Sequence, residues 1–336
     1  MIVITGAAGF IGSALLWALN ERGESNILLV DDVGHDEKEC NIAPLKYEEL
    51  VGIKEFRERL RAGDYDPTSP RLRGAGIEAI LHMGACSSTT ETDWEYLLDN
   101  NVEYSKDIIR WCSDRGARCV YASSGATYGD GARGYSDDHA LFGELVPLNL
   151  YGKSKLLVDI WARDGGYLNP PTGGVAGVRY FNVFGPNEYH KGEMASVPFK
   201  KFHQMQQEGV VELFKSNHPD FGDGEQKRDF IYIKDVLAAT LWLLDHREAA
   251  GIYNVGTGKA RSWNDVARAM FFAVGKMPNI RYVDMPANLK NQYQNFTQAD
   301  ISKLRATGYG EEMTELEDAI ADYVQNYLIP KKSLGE

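Results

Sequence analysis

Short apolar runs alternate along this chain with longer stretches of helical periodicity. The runs that predict buried β-strands, because they are brief and bounded by turn residues, are 1–5, 27–30, 79–85, 119–122 and 175–184. Between them, segments such as 13–22 and 96–115 carry apolar residues at helical spacing. This alternation predicts an α/β fold, a doubly wound parallel (Rossmann) sheet.

The pattern becomes irregular and polar after residue 184, at Gly185-Pro186-Asn187 and again at 219–224. Such segments are common places for substrate-binding parts. We therefore predict a dinucleotide-binding domain over residues 1–180, which includes a catalytic helix. A smaller C-terminal α/β substrate domain is predicted over 181–330, with crossovers of the chain between the two.

A glycine turn follows the first strand, with the spacing Gly6-x-x-Gly9-x-x-Gly12. Glycines here permit a tight turn, close approach of a pyrophosphate to the backbone and close packing of helix on strand. The second strand ends at Asp31 and Asp32, where a βαβ unit presents a carboxylate to an adenosine ribose. The order strand, turn, helix, strand and acid predicts a dinucleotide site.

Tyr151 and Lys155 are four residues apart in a predicted helix, so both side chains lie on one face. A phenol has a pKa of roughly 10 and needs a neighbouring cation to act as a base near neutral pH. Lys155 would supply that charge. The pair alone is also typical of an exposed helical surface, and its meaning depends on the surrounding motifs.

Composition indicates a globular enzyme without a membrane or nucleic-acid partner. The 336 residues are 43% hydrophobic and 25% charged, with a net charge of −12. Nucleic acids and membrane surfaces favour basic faces instead. The chain opens with an apolar strand rather than a basic leader, and no apolar run approaches the ~20 residues that span a bilayer. We expect a cytoplasmic protein.

No metal site is predicted. The four cysteines, Cys40, Cys86, Cys112 and Cys119, form no Cys-x-x-Cys pair and have no histidines at ligand spacing. Reduced structural thiols are therefore expected.

Several segments together resemble the extended short-chain dehydrogenase/reductase superfamily: the glycine turn, Asp31, the strand end Ser123-Ser124, Tyr128-Gly129, the Tyr151/Lys155 pair and 179–186. Others are similar to the ADP-L-glycero-D-manno-heptose 6-epimerase family within it. These are 84–91 (GACSSTTE), 99–101, 190–192, 194–197, 227–230 and 292–300 (QYQNFTQAD). The first and last are far more specific than the superfamily motifs.

The resemblance implies an NADP-dependent isomerase that epimerises C6'' of ADP-D-glycero-D-manno-heptose for lipopolysaccharide inner-core biosynthesis. An unactivated carbinol carbon is inverted through a transient ketone, with hydride returned to the opposite face. The resemblance makes Tyr151 the base, Ser124 a hydrogen-bond partner of the same oxygen, and Lys191 a second proton donor. Family members are homo-oligomers, often pentamers.

The resemblance also implies the remaining site residues. Beyond the three turn glycines, it assigns cofactor contacts to Phe10, Ile11, Asp31, Asp32, Lys38, Met83, Gly84, Ala85, Cys86, Ser87, Asn100, Tyr151, Lys155, Val183 and Lys191. A further family lysine falls on Ile53, next to Lys54. NADP is expected, although a strand-end Asp also suits NAD.

For the substrate, the matching positions are Ser124, Asn182, Glu193, Lys200, Phe214, Asn217, Arg228 and Tyr293. Arg228 suits a diphosphate, since guanidinium binds such groups with two hydrogen bonds; an ion pair with Asp229 is the alternative. Glu193 and Lys200 replace a family serine and histidine, and the segment around Phe214 also departs from the common pattern. These departures affect sugar recognition.

Three alternatives remain open from the residues. A UDP-hexose 4-epimerase would share the turn and the Tyr–Lys pair. A 4,6-dehydratase would need an acid pair after Ser124, where Gly125-Ala126 stands. A non-catalytic dinucleotide-sensing protein typically loses the Tyr or the Lys, and both are present here.

Overall fold

The structure is a computed structural model that describes residues 1–34, 38–66, 76–169, 174–286 and 293–336. Its strands are β1 (Ile2–Thr5), β2 (Ile27–Val30), β3 (Glu49–Val51), β4 (Ala79–His82), β5 (Arg118–Ser124), β6 (Val175–Tyr180), β7 (Asn182–Phe184), β8 (Val211–Phe214), β9 (Lys227–Tyr232), β10 (Gly251–Val255), β11 (Ala260–Ser262) and β12 (Ile280–Val283). The helices are α1 (Phe10–Glu21), α2 (Ile53–Arg61), α3 (Trp94–Leu97), α4 (Tyr104–Arg115), α5 (Leu150–Asp164), α6 (Val197–Glu208), α7 (Ile233–Asp245), α8 (Trp263–Ala273), α9 (Ser302–Ala306) and α10 (Leu316–Asp322).

Seven parallel strands form the central sheet in the order β10-β6-β5-β4-β1-β2-β3. Successive residues of a strand face opposite sides, and both sides are covered: Ile2 and Ile4 pack into one apolar cluster, whereas Val3 packs into another. Strand order reverses at β1, whose neighbours are β2 and β4. The predicted doubly wound parallel sheet is confirmed.

Two predicted elements are divided in the structure. The helix expected over 96–115 begins at Trp94 and contains a π-helical segment, Leu98–Glu103, between α3 and α4. The strand expected over 175–184 is two strands in different sheets. Its first part, β6, pairs with β5, and the chain then bends at Phe181, after which β7 pairs with β9.

The C-terminal part of the chain adds two small sheets, β11-β9-β7 and β12-β8, and also returns β10 to the central sheet beside β6. One apolar cluster contains residues from both parts, for example Leu15, Leu29, Phe230 and Met270. The predicted limits of 1–180 and 181–330 stay predictions. Among the described helices, none is both long and apolar enough to cross a membrane.

Candidate active site

A cavity of about 980 Å³ opens at the carboxyl ends of β1, β2, β4 and β5. This is the point where the strand order reverses, the usual ligand position in open α/β sheets. Except for Tyr151, Lys155 and Val183, all residues predicted to bind the cofactor line it: Gly6, Gly9, Phe10, Ile11, Gly12, Asp31, Asp32, Lys38, Met83, Gly84, Ala85, Cys86, Ser87, Asn100 and Lys191. The structure therefore brings together residues from distant parts of the sequence.

The glycine turn fits a pyrophosphate closely approaching the backbone. Gly6 has φ +63°, and a Cβ there would lie 2.7 Å from the Gly84 amide nitrogen. A Cβ at Gly12 would lie 2.1 Å from the Gly6 carbonyl oxygen. Gly9 precedes α1 and offers no side-chain cap to the helix N-terminus. The N–H groups of the first helical turn thus face the cavity, where an anion can accept from them.

Asp31 and Asp32, predicted to bind the adenosine ribose, line the cavity after β2. The buried Asp31 carboxylate accepts the amide N–H groups of Ala8 and Asp32, both at 2.9 Å, and lies 3.7 Å from the Lys38 ammonium. Burial raises the pKa of Asp31, and Lys38 opposes that shift. Asp32 accepts the Ile53 N–H at 2.9 Å and so fixes the start of α2. Asp31 remains the carboxylate nearest the glycine turn.

One face of α2 adds cations that the sequence analysis did not single out. Lys54, Arg57 and Arg61 line the same cavity. Their spacing of three and four residues places them on one helical face, a signal that was available in the sequence. Arg57 is held by two hydrogen bonds to Asp99, at 2.8 and 2.9 Å. Lys54 is exposed and extends along the cavity rim.

Tyr151 and Lys155 lie on α5, which Asn149 caps by accepting the Gly152 N–H at 2.8 Å. The Lys155 ammonium donates to the carbonyl of Ala122, a cavity residue, at 2.9 Å. Burial lowers the pKa of Lys155 to about 8. Burial also raises the pKa of Tyr151, and a hydrogen bond from Ser124 lowers it only in part. The hydrogen-bond partner of the Lys155 ammonium is thus the Ala122 carbonyl, and the predicted role of Lys155 as the cation beside the Tyr151 phenol stays a prediction.

Asp159 supplies negative charge beneath Lys155. It is fully buried and accepts from Tyr121 at 3.0 Å and from Ser123 at 2.9 Å. It also pairs with the buried Arg179 guanidinium, 2.9 Å away. Asp159 raises the pKa of Lys155 against the larger effect of burial. Asp159 lies one helical turn from Lys155, and its negative charge favours the ammonium form of that lysine.

A chain of buried hydrogen bonds joins the strand ends to α5. Asn101, in the π-helical segment, exchanges two hydrogen bonds with the Cys86 backbone at 2.8 and 3.0 Å and donates to the Ser154 hydroxyl at 3.0 Å. Ser154 in turn donates to the Tyr151 carbonyl at 2.7 Å. Sequence reasoning named Asn100 but missed Asn101, which fixes the cavity wall against the helix that bears Tyr151.

Lys191 reaches the cavity from a loop of the C-terminal part, residues 185–196, which we call the Lys191 loop. Its ammonium lies 5.2 Å from the centre of the Phe10 ring at the glycine turn. The side chain is half-buried, and burial lowers the pKa of Lys191 while Glu188 raises it. Lys191 lies beside the predicted cofactor path.

Arg228, on β9, is a buried cation between aromatic side chains. Its guanidinium lies 5.1 Å from the Tyr293 ring centre and 5.7 Å from that of Trp263. Trp263 donates its indole N–H to the Tyr293 hydroxyl at 2.8 Å. Phe214 packs edge-on against Tyr293, with ring centres 6.3 Å apart. Sequence reasoning missed Trp263, whose position next to the capping residue Ser262 gave no functional signal.

The alternative role of Arg228, an ion pair with Asp229, is not observed. Asp229 is buried and turned toward other donors, the amides of Thr257, Gly258 and Ala299 at 2.7 to 2.9 Å. Arg228 is only 6% exposed and donates to the Lys227 carbonyl at 2.9 Å. Burial lowers the pKa of Arg228. No described carboxylate forms a salt bridge with this guanidinium, which is therefore suited to an external anion.

The other predicted substrate residues lie on several elements of the C-terminal part of the chain. Asn182 is exposed at the start of β7, 3.5 Å from the Thr297 hydroxyl. Lys200 donates to the Glu193 carbonyl at 2.9 Å, so the two departures from the family pattern contact each other on the Lys191 loop and α6. Asn217 lies in the loop after β8, beyond Phe214. Gln292, the first residue of the predicted segment 292–300, lies outside the described residues.

In the part of the chain that the structure describes, no three His, Cys, Asp or Glu side chains are grouped so that they could hold a metal ion. The four cysteines are free thiols, and Cys86 is the one that lines the cavity. His82 is buried between Thr5 and Ser105, at 2.7 and 3.0 Å, and burial lowers its pKa to about 3. His82 is thus a neutral core residue.

A dinucleotide cavity, a glycine turn and a Tyr–Lys pair near the same strand ends define a class of nicotinamide-dependent enzymes. Residues 2–256 match the NAD dependent epimerase/dehydratase family. The chain belongs to this family. Membership of this family and the lining of the cavity both indicate a nicotinamide dinucleotide as the cofactor.

Within that class, the chain is similar over nearly its whole length to ADP-L-glycero-D-manno-heptose-6-epimerases. It is 47% identical over 328 residues to the enzyme of Nitratidesulfovibrio vulgaris, which covers 98% of both chains. The enzyme of Fusobacterium nucleatum subsp. nucleatum is 43% identical over 341 residues, with 99% of both chains covered. These relatives confirm the predicted family and the prediction of an isomerase.

Solved structures of related proteins have the same fold. The ADP-L-glycero-D-manno-heptose-6-epimerase of Helicobacter pylori superimposes with a TM-score of 0.78 at 26% identity, covering 97% of this chain and 95% of that one. The UDP-glucose 4-epimerase of Thermus thermophilus, in complex with NAD, gives a TM-score of 0.73 at 24% identity over 96% and 97% of the chains. The latter similarity shows the shared fold alone. The UDP-hexose 4-epimerase alternative is not favoured.

Proposed function

We propose that this protein converts ADP-D-glycero-D-manno-heptose to ADP-L-glycero-D-manno-heptose by inverting C6''. The observation that carries the proposal is that Lys191 lines the dinucleotide cavity together with Ala122, whose carbonyl binds Lys155 on the helix that bears Tyr151. The full-length relatives that bear this activity in their names support the substrate. A bound nicotinamide dinucleotide would supply the hydride steps at the carbinol carbon.

Tyr151 would take the proton of the C6'' hydroxyl as that carbon is oxidised. The phenol is largely enclosed, and Ser124 is its hydrogen-bond partner. Because burial raises the pKa of Tyr151, the phenolate forms only when positive charge lies nearby. Lys155, fixed on the Ala122 carbonyl at 2.9 Å, is the chain's own cation on this helix face. Ser124 would orient the substrate oxygen toward the phenol.

Lys191 would serve the opposite face of the ketone. Inversion requires hydride to arrive from the other side, so the alkoxide that forms points in a new direction and needs its own proton donor. Burial lowers the pKa of Lys191 toward the range in which an ammonium donates readily. Its position over Phe10 keeps it beside the glycine turn.

Arg228 would bind the diphosphate of the substrate. Its buried guanidinium has two aromatic walls and no described carboxylate partner, which leaves its fork free for phosphate oxygens. The Tyr293 hydroxyl accepts from Trp263, so its own proton is free to be donated to the same anion. Asn182, Phe214 and Asn217, with Glu193 and Lys200 on the other side, would contact the rest of the nucleotide sugar.

We further propose that NADP is the preferred dinucleotide. Lys38 lies 3.7 Å from Asp31, and Lys54 and Arg57 line the same end of the cavity. The attraction between a 2′-phosphate and these three cations outweighs its repulsion by the Asp31 carboxylate. Calorimetric titration should show tighter binding of NADP⁺ than of NAD⁺, with Lys54→Met weakening NADP⁺ alone. Equal loss for both dinucleotides would contradict the preference.

The remaining predictions are part of the same proposal. A role in lipopolysaccharide inner-core biosynthesis and a homo-oligomeric, pentameric assembly follow from the resemblance. The proposal also includes the cytoplasmic location that the sequence analysis expects. Sedimentation of the purified protein tests the assembly.

The decisive test is incubation of the purified protein with ADP-D-glycero-D-manno-heptose and, separately, with UDP-galactose, without added reductant. Chromatography resolves the epimers. Conversion of the heptose alone supports the proposal. Conversion of UDP-galactose alone would overturn the substrate and keep the oxidation and reduction scheme. If neither reacts, the non-catalytic alternative replaces the proposal.

A further inference from the structure

Glu188 is a fully buried carboxylate at the base of the Lys191 loop. Its side chain accepts the Gly185 N–H at 3.2 Å, where the loop begins. It also accepts both the N–H and the hydroxyl of Ser196, at 2.5 and 2.7 Å, where the loop ends and α6 starts. One side chain thus closes the loop across its two ends.

The same carboxylate connects the loop to the end of the chain. Tyr323, in a π-helical segment that follows α10, donates its hydroxyl to Glu188 at 3.0 Å although 135 residues separate them. Tyr323 is itself fully buried. The loop is therefore anchored on the C-terminal helices and not only on its own backbone.

Asn187, the residue before Glu188, is itself held in a strained conformation. Its φ is +77°, a value that few residues other than glycine adopt. Its amide donates to the Ser13 hydroxyl at 3.0 Å and accepts the Leu334 N–H at 2.8 Å. Contacts with α1 and with the C-terminal residues hold this conformation, so the loop has one defined path over the cavity.

That path decides where Lys191 lies. Glu188 and Lys191 are three residues apart, and the Lys191 N–H donates to the Glu188 carbonyl at 3.0 Å. Glu188 is the charge that raises the pKa of Lys191, against burial and against Lys200. Burial raises the pKa of Glu188, and the hydrogen bonds from Ser196, the charge of Lys191 and the Gly185 N–H oppose that shift.

We propose that Glu188 is a positioning residue for Lys191: it clamps the Lys191 loop, together with Tyr323, and provides the counter-charge that keeps the Lys191 amine cationic beside the cavity. This inference rests on the proposed role of Lys191. Glu188 itself is not among the residues that line the cavity, and its carboxylate accepts four hydrogen bonds.

Glu188→Gln removes the charge and nearly keeps the side-chain volume. The hydroxyls of Ser196 and Tyr323 can rotate to accept from the new amide, whereas the Gly185 N–H loses its acceptor. Tyr323→Phe removes one hydrogen bond and leaves the charge. Tyr253→Phe is the matched control, because that buried tyrosine also donates one hydrogen bond, to Ala250 at 3.1 Å, far from the loop. Melting of each variant is measured in parallel.

The first readout is the labelling of Lys191 by reductive methylation, followed by mass spectrometry, with the exposed Lys276 as internal reference. Glu188→Gln should speed labelling of Lys191 by at least about threefold, the change expected if its pKa falls by about half a unit. An unchanged rate would overturn the proposal. This measurement needs no turnover, so it stands even if the proposed activity fails.

The second readout is a double-mutant cycle on kcat. Glu188→Gln should lower kcat by about tenfold to a hundredfold, as small displacements of a reacting group do. Tyr323→Phe should lower it less, and Tyr253→Phe should leave it within about twofold of the wild type. In the Lys191→Met background, Glu188→Gln should have almost no further effect.

If the two substitutions lowered kcat independently, so that their fold-changes multiplied in the Glu188→Gln/Lys191→Met variant, Glu188 would act on the structure as a whole and not through Lys191. The proposal would then be wrong. If Lys191→Met alone kept full activity, the proposed function of Lys191 would fail. Labelling would then still decide the positioning: faster labelling supports the clamp, and an unchanged rate refutes it.

Discussion

Replacing Arg228 by methionine should stabilise the free protein and abolish most of its affinity for nucleotide diphosphates. The guanidinium is 6% exposed and has no described carboxylate to pair with. Burial, the largest influence on its pKa, lowers that pKa, which means that the surroundings disfavour the charged form overall. A site with this property is built for an anion that arrives with the substrate.

The size of the effect follows from the contacts. Methionine loses the hydrogen bond to the Lys227 carbonyl and the two ring contacts with Tyr293 and Trp263. Together these are worth about 3 kcal/mol. Burying an unpaired cation costs several kcal/mol. The free energy of unfolding of Arg228→Met should therefore rise by about 1 kcal/mol.

For binding, two charge-assisted hydrogen bonds to a diphosphate contribute about 3 kcal/mol, so the Kd for ADP should rise about a hundredfold. Urea unfolding without nucleotide and calorimetric titration with ADP measure the two quantities. Arg228→Lys is the matched control: it keeps the charge, loses the planar fork and should weaken ADP binding without the gain in stability. The reasoning is wrong if Arg228→Met loses more than about 1 kcal/mol of stability, or if it binds ADP as the wild type does.

Three other outcomes are expected. Tyr151→Phe should lower kcat by about 10²-fold or more and leave the Kd of NADP⁺, measured by fluorescence, nearly unchanged; a fully active variant would remove Tyr151 from its role. The pKa of Lys155 is about 8 in the folded protein, and its ordinary value is 10.5. Between these two pH values the unfolded chain therefore keeps a proton on Lys155 that the folded protein has lost. The free energy of unfolding of the wild type should thus rise with pH across that window by up to about 3 kcal/mol relative to that of Lys155→Met. Urea titrations at pH 8 and pH 10 measure this difference. If both proteins showed the same change with pH, the assigned burial of Lys155 would be wrong. Gly12→Ala would place a Cβ 2.1 Å from the Gly6 carbonyl, so it should lose about 2 kcal/mol of stability and most dinucleotide affinity, whereas Gly23→Ala, a solvent-exposed glycine at the end of α1, should keep the affinity.

Most residues that line the cavity could be predicted because their signals are local. The residues of the glycine turn and the acids after β2 each follow a strand directly, and parallel strands bring their carboxyl ends to one edge. The cations of α2 were also within reach, since Lys54, Arg57 and Arg61 share a helical face. Their use in a site could be recognised only after α2 was placed beside the cavity.

What the sequence by itself determined is the alternation of strands and helices, the glycine turn and the Tyr151–Lys155 pair, because each depends on neighbours a few residues away. The tertiary structure alone decided where the chain leaves one sheet for another at Phe181. It also decided that Lys191, a loop lysine by sequence, lies over Phe10, and that Arg228 lies between Trp263 and Tyr293 rather than beside Asp229. These contacts join residues far apart in the chain, and their energies arise from burial and desolvation, which no local pattern records.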